Sequence, residues 1–173
     1  ILPLTPTGYG DSPYQSLGAC AGNHYLIDLD RLAEEGLLKK EEIQNIPWGS
    51  NPARVDFGAM YAHRMNVLRL AFQRFTPDGA YETFVEQNRS WLEDYALFTA
   101  LKDTLGGKPW LEWPEALRLR KADALVEKRR ELSDEIRLQY FVQYEFDRQW
   151  KALRSYANAK GVRIIGDLSL IHI

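Results

Sequence analysis

The chain alternates between two short apolar stretches and a long middle in which apolar residues recur at helical spacing. Ile1-Leu-Pro-Leu4 and Val162-Arg-Ile-Ile-Gly166 read as strands. Between them, residues 29–35 predict a short helix ended by Gly36, and residues 39–45 another, stopped before Pro47. Over residues 55–75 the positions Met60, Val67, Leu68, Ala71, Phe72 and Phe75 form one buried helical stripe, closed by Pro77-Asp-Gly79. A shorter helix is expected over 81–87. Ser90 with Glu93 then reads as a capping box that starts a separate helix carrying Trp91, Leu92, Tyr95, Ala96, Phe98 and Leu101, ended by Gly106-Gly107. Pro109 and Pro114 keep residues 108–114 out of regular helix, leaving an aromatic-rich connection. Two further helices follow, over 121–132 and 134–160. The second carries Ile136, Tyr140, Phe141, Tyr144, Phe146, Trp150, Leu153 and Tyr156, a stripe whose spacing core packing already explains.

Strand, long helical excursion and strand make a right-handed crossover between parallel strands with an insertion in it, hence an α/β chain forming part of a barrel. A hydrophobic content of 45% is enough for a core, and a formal charge of -2 gives no bias toward nucleic acid or anionic membrane. No apolar run reaches the roughly 20 residues of a membrane span, and no basic stretch precedes an apolar signal core, so a cytoplasmic location is expected. The single cysteine, Cys20, excludes an internal disulfide. Between Ala19 and Ala21 it reads as a small buried residue. Nothing calls for a metal or cofactor.

The chemistry concentrates in Leu2-Pro-Leu-Thr-Pro-Thr-Gly-Tyr-Gly-Asp-Ser-Pro-Tyr-Gln-Ser16, loop sequence placed directly after the first strand. Gly8 and Gly10 permit backbone angles closed to other residues, while Pro3, Pro6 and Pro13 restrict φ, so the loop is stiff without being helical. It presents Tyr9, Tyr14, Asp11, Ser12 and Gln15, flat rings mixed with hydrogen-bonding groups that suit a polyhydroxylated ligand such as a sugar. On residues alone, a structural turn and a binding loop both stand. Asp11 in Gly-Asp-Ser-Pro is read first as a local acceptor of backbone amides, and Tyr9 as an exposed stacking face. His63 has no His or Cys partner at metal spacing and is read as a surface or packing residue. Trp110 and Trp113 either line a groove or anchor their connection. Glu93-Asp94 is not an acid–base pair, since helix neighbours point about 100° apart.

The string GYGDSPYQS after LPL resembles the 4-α-glucanotransferase family, the amylomaltases or disproportionating enzymes of glycoside hydrolase family 77. The resemblance continues through Ala21-Gly-Asn23, Tyr25-Leu-Ile-Asp28, Val55-Asp56 with Gly58, Trp91 to Phe98 and Ala100-Leu-Lys102. It resumes at Trp110, Trp113-Pro114, Leu117-Arg118 and Arg120, then Gln143, Phe146, Gln149-Trp150, and Gly161 with Arg163-Ile-Ile-Gly-Asp-Leu168. His24 departs from it, standing where the family has proline. The resemblance implies a (β/α)8 TIM barrel, here partial and predominantly helical, with a helical insertion over roughly 29–113. Functional loops of that fold follow the C-terminal ends of strands, where both the opening loop and Asp167 fall.

It further implies retaining transfer of a 1,4-α-glucan segment to glucose or a maltooligosaccharide acceptor, using a nucleophilic carboxylate and a proton-donating carboxyl group. None of the 24 acidic residues matches the family's catalytic motifs, so no catalytic residue is expected within this chain. Substrate-binding residues are: Tyr14 against the donor glucose, Ser12 on a sugar hydroxyl, Asp167 orienting hydroxyls near the cleavage point, and Tyr9 as a further stacking face. The chain reads as a piece of that enzyme over residues 1–167. Residues 168–173 match the in-frame translation of a common transposase adapter and are read as a non-native tail, so His172 carries no weight. A hydrolase of the same clan and a noncatalytic helical carbohydrate-binding protein are the alternatives.

Overall fold

A computed structural model describes residues 1–51 and 53–167, with the Tyr9 side chain left out; the expected tail over 168–173 lies outside the described residues. The helices are α1 (Leu29–Glu34), α2 (Lys40–Gln44), α3 (Phe57–Arg74), α4 (Gly79–Thr104), α5 (Glu115–Arg118), α6 (Ala122–Glu131) and α7 (Ser133–Ala159). Several begin or end where a side chain or a glycine directs. Asp28 Oδ1 accepts the Asp30 and Arg31 amides at the start of α1, and Asp56 accepts Ala59 N–H at 2.9 Å before α3. Gly36 and Gly161 take left-handed φ of 80° and 77° just beyond α1 and α7.

One boundary differs from expectation. The helices predicted over 81–87 and from Ser90 onward are a single 26-residue helix, α4, begun by Asp78, whose Oδ1 accepts Tyr81 N–H at 2.8 Å. The Ser90–Glu93 box does not form, because neither proline nor internal glycine interrupts residues 80–104. Glu93 instead meets Arg89 at 3.3 Å, one turn back, and Arg89 also reaches Glu86 at 3.2 Å.

The chain divides into two compact units, one of Ile1–Pro77 with Val142–Ile173, the other of Asp78–Phe141. In the second unit Ala96, Leu97, Ala100 and Leu101 of α4 pack with Trp113, Leu117, Leu132 and Ile136. In the first, Ile27, Leu32, Val67, Leu68, Ala71 and Val142 are at most 2% exposed. The α7 stripe is core only over its earlier part: Ile136, Phe141 and Tyr144 are buried, whereas Leu153 and Tyr156 are exposed. Tyr156 there lies under the Lys160 ammonium, 5.9 Å from its ring centre. Cys20, expected inside, is exposed. It follows a turn closed by Ser16 Oγ and Gly18, and the chain direction there puts Ala21 into the core and its neighbour outside.

No strand is assigned among the described residues, against the expectation of two. The two segments nevertheless lie side by side: Ile1 N donates to Ile165 O at 2.6 Å and Asp167 N to Ile1 O at 2.7 Å. Bonds to residues on either side of Gly166 are the pattern of a parallel pair. One such pairing is too short for a ladder.

In the first unit the irregular segment 22–28 is held by two amide clamps from α7. Gln143 accepts Gly22 N–H at 2.7 Å and returns its amide to Gly22 O at 3.0 Å. Gln149 does the same to Asp28, at 2.7 and 3.2 Å. From α3, the buried Arg64 guanidinium donates to the carbonyls of His24, Tyr25 and Ile27. These bonds serve backbone groups of a segment whose regular structure is limited to the 3-10 turn His24–Leu26.

Two outcomes follow. A Cβ on Gly22 would sit 1.9 Å from Phe146 Cδ1, inside the ring's van der Waals surface. Gly22→Ala should therefore destabilise the first unit by about 1–3 kcal/mol in urea titration, as overpacking does, and Gly22→Ala combined with Phe146→Leu should recover part of the loss. Burial, with Arg64 alongside, lowers the His24 imidazole from 6.5 to about 4. The unfolded chain takes up that proton first, so stability is full above pH 6.5 and falls by about 3 kcal/mol as pH drops toward 4. His24→Pro should flatten the urea midpoint across that window.

Candidate functional site

The opening loop is closed by its own backbone. Thr7 and Ser16 form an antiparallel bridge, and Gly8 N donates to Gln15 O at 2.7 Å. A Cβ on Gly8 would lie 3.0 Å from Gln15 O, a contact tighter than side chains ordinarily make. Within the loop a single 3-10 turn, Tyr9–Asp11, carries Gly10 at φ 75° and Asp11 at φ 54°. Asp is one of the few side chains that accept this region, because its short carboxylate bonds locally. Here it accepts from the Thr7 hydroxyl at 3.5 Å, where a backbone amide was expected.

Ser12 and Tyr14 share the second half of the loop. Ser12 Oγ accepts Tyr14 N–H at 3.3 Å and Ser12 O accepts Gln15 N–H at 3.2 Å, so the serine shapes the turn with its oxygens while these bonds leave its hydroxyl proton unused. Tyr14 is 41% exposed, and its phenol donates to Asp167 Oδ2 at 2.6 Å across 153 residues. That bond raises the Tyr14 pKa above 10.0, because a phenolate would face the carboxylate without a proton between them. Asp167 is itself held through its backbone, by the 2.7 Å bond to Ile1 O.

Of the residues predicted from sequence, Tyr14 and Asp167 are in direct contact and Ser12 lies on the same turn. The Tyr9 ring lies outside the described side chains. Trp113 is an anchor of its connection, 7% exposed with Nε1 donating to Lys108 O at 3.1 Å, whereas Trp110 is half-exposed. His63 packs edge-on to Trp48 at 6.3 Å. Glu93 and Asp94 turn to different partners, Arg89 for the first and Arg120 with Arg129 for the second. The clamps of Gln143 and Gln149 and the carbonyl-binding Arg64 have no place in the sequence reading beyond their order in the motif string. A glutamine inside the apolar stretch Tyr140-Phe-Val-Gln-Tyr144 was their one local signal.

What the arrangement offers is a flat, solvent-facing phenol ring with a carboxylate fixed at its tip and a hydroxyl one turn away. Such a set can lie against a sugar ring and hydrogen-bond its hydroxyls. Among the described residues, no three His, Cys, Asp or Glu side chains gather as a metal site.

Comparison with known proteins agrees with that chemistry. The family model described as 4-alpha-glucanotransferase matches residues 1–172. The 4-alpha-glucanotransferase of Thermus thermophilus is 48% identical over 98% of this chain and 34% of its own length. That of Clostridium butyricum is 42% identical over 98% and 35%. A solved structure, the amylomaltase from Streptococcus agalactiae in complex with acarbose, superposes with a TM-score of 0.92 at 42% identity, covering 97% of this chain and 35% of that one. The chain belongs to the 4-alpha-glucanotransferase family. It spans about a third of the length of the curated relatives it matches.

Replacing Asp167 by Asn removes the charge that disfavours the Tyr14 phenolate. In tyrosine-labelled NMR titration the Tyr14 midpoint should move down toward 10.0 in Asp167→Asn, and the stability that the bond contributes, present below pH 10.0, should disappear only above it. An unmoved midpoint would mean that the contact does not persist in solution.

Proposed function

We propose that this chain is the part of a retaining 4-α-glucanotransferase that grips the donor glucan. The observation that carries the reading is the 2.6 Å bond from Tyr14 to Asp167, which supports one binding surface built from both ends of the chain. In this reading residues 1–4 and 162–167 are neighbouring parallel strands of a (β/α)8 barrel, with residues 29–113 as its helical insertion. The two hydrogen bonds flanking Gly166 support that pairing. The loop and Asp167 then sit at the strand ends where such barrels place their sites.

The chemistry divides accordingly. Tyr14 lies against the donor glucose, Asp167 and Ser12 hold its hydroxyls, and Tyr9 supplies a further stacking face. A carboxylate elsewhere in the protein attacks the anomeric carbon while a second carboxyl group protonates the departing glycosidic oxygen, leaving a covalent glycosyl-enzyme. The 4-hydroxyl of an acceptor glucose or maltodextrin then displaces the enzyme carboxylate and returns the proton. Holding the donor ring so that only the anomeric carbon can move is the contribution of this chain, and it acts through orientation.

Given maltotriose, the full-length protein should yield glucose and longer maltodextrins, and maltose with glucose alone would indicate hydrolysis instead. Tyr14→Ala should raise KM for the donor or lower kcat/KM about tenfold, the loss of roughly one stacking contact with its hydrogen bond. The 173-residue chain by itself should turn over no maltotriose, and measurable turnover would contradict the placing of both carboxylates outside it.

A further inference from the structure

A cleft within the unit Asp78–Phe141 takes no part in the surface described above. It has a volume of about 310 Å³, at the small end of the range for ligand sites. Its wall is apolar, with Leu101, Leu117 and Trp113 buried, and the Trp113 ring lies 5.4 Å from that of Phe98. Its edge is different. Trp110 lines the cleft with half of its surface exposed, and Asp94 and Arg120 supply an ion pair, with Arg120 Nη2 donating to Asp94 Oδ2 at 2.8 Å.

Arg120 stands where the backbone calls for glycine. Its φ is 53°, and the bonds from Arg120 N to Leu117 O and from Lys121 N to Ala116 O make the left-handed closure that ends α5. A side chain in that conformation is disfavoured, and an ion pair more than half exposed to water offsets little of that cost. The salt bridge to Asp94 therefore does not account for an arginine at this position on grounds of stability. Arg120 also lines the cleft.

We propose that this cleft is a second α-glucan-binding site, separate from the Tyr14–Asp167 surface, in which the Trp110 indole lies against a glucose ring. The Asp94–Arg120 pair then binds that ring's hydroxyls, the carboxylate accepting from one and the guanidinium donating to its neighbour. A pyranose matches both halves of the cleft, since its C–H face packs on aromatic rings and its vicinal hydroxyls bridge an acid and a base. The proposal rests on the glucan reading above, and its occupant is the chain of a maltodextrin or glycogen.

Affinity electrophoresis of the full-length protein through gels containing glycogen separates the two readings. Glycogen should retard the wild-type protein, and Trp110→Ala and Arg120→Gly should each weaken the apparent Kd roughly fivefold. Arg120→Gly should at the same time keep or raise Tm, because it relieves the left-handed strain. Binding equal to wild type in both variants, with the wild type retarded, overturns the second site and leaves the glucan reading intact. A lowered Tm with unchanged binding in Arg120→Gly assigns that arginine to stability and likewise overturns it. A wild-type protein that glycogen does not retard at all overturns the glucan reading and this site together.

Discussion

The first unit depends on two glutamine side chains acting as pieces of backbone. Residues 22–28 belong to no long helix or sheet, yet they run against α7 where Gly22 is buried, and buried amides without partners are costly. A glutamine amide carries one acceptor and a donor in the geometry of a peptide group, so Gln143 and Gln149 each complete a two-bond ring with one residue of the segment. The two glutamines are six residues apart on the helix, and so are Gly22 and Asp28. Two fixed points of equal separation set both the register and the direction of the segment. Glycine at 22 is part of the same constraint, because the Phe146 ring occupies the space of its missing side chain.

Everything upstream is hung from this attachment. Asn23 N donates to Leu4 O at 2.8 Å, which ties the start of the chain to the clamped segment. Ile1 in turn exchanges bonds with Ile165 and Asp167. The Tyr14 phenol thus meets Asp167 through a series of backbone contacts that begins at α7 and returns to the residues following it. Arg148 reinforces the series from the same helix, forking onto Glu35 at 2.7 and 2.6 Å and holding the buried Glu145 at 2.6 Å.

Helix periodicity was readable because burial imposes it, so α3, α6 and α7 lie within two residues of their expected bounds. The misplaced break inside α4 came from a capping motif whose letters, Ser90 and Glu93, also serve helix interiors when Arg89 is at hand to pair. A local pattern cannot say which partner wins when both are in reach. The two expected strands lie side by side without forming a ladder for another reason: apolar sequence sets only a willingness to pair, and the ladder depends on neighbours far away in sequence. The meeting of Tyr14 with Asp167 was foreseeable only from the order of motifs and the rule that barrel loops follow strand ends. Neither residue's surroundings within the sequence point to the other. Gln143 and Gln149 were visible as polar letters in an aromatic stripe, but their partners were not.

The candidate site also separates what binds from what holds. Tyr14 and Asp167 are exposed and Ser12 is half-buried, and an exposed phenol–carboxylate bond exchanges readily with water, so it contributes little to keeping the loop in place. Stiffness comes from elsewhere: the Thr7–Ser16 bridge, the Gly8–Gln15 bond, the left-handed turn at Gly10 and Asp11, and the prolines on either side. A ligand hydroxyl can then replace water around Asp167, or compete with the Tyr14 phenol for it, without the loop losing its shape. Because ordering has been met by backbone bonds before any sugar arrives, little of the binding energy is needed to form the site, and most of it remains for orienting the donor ring.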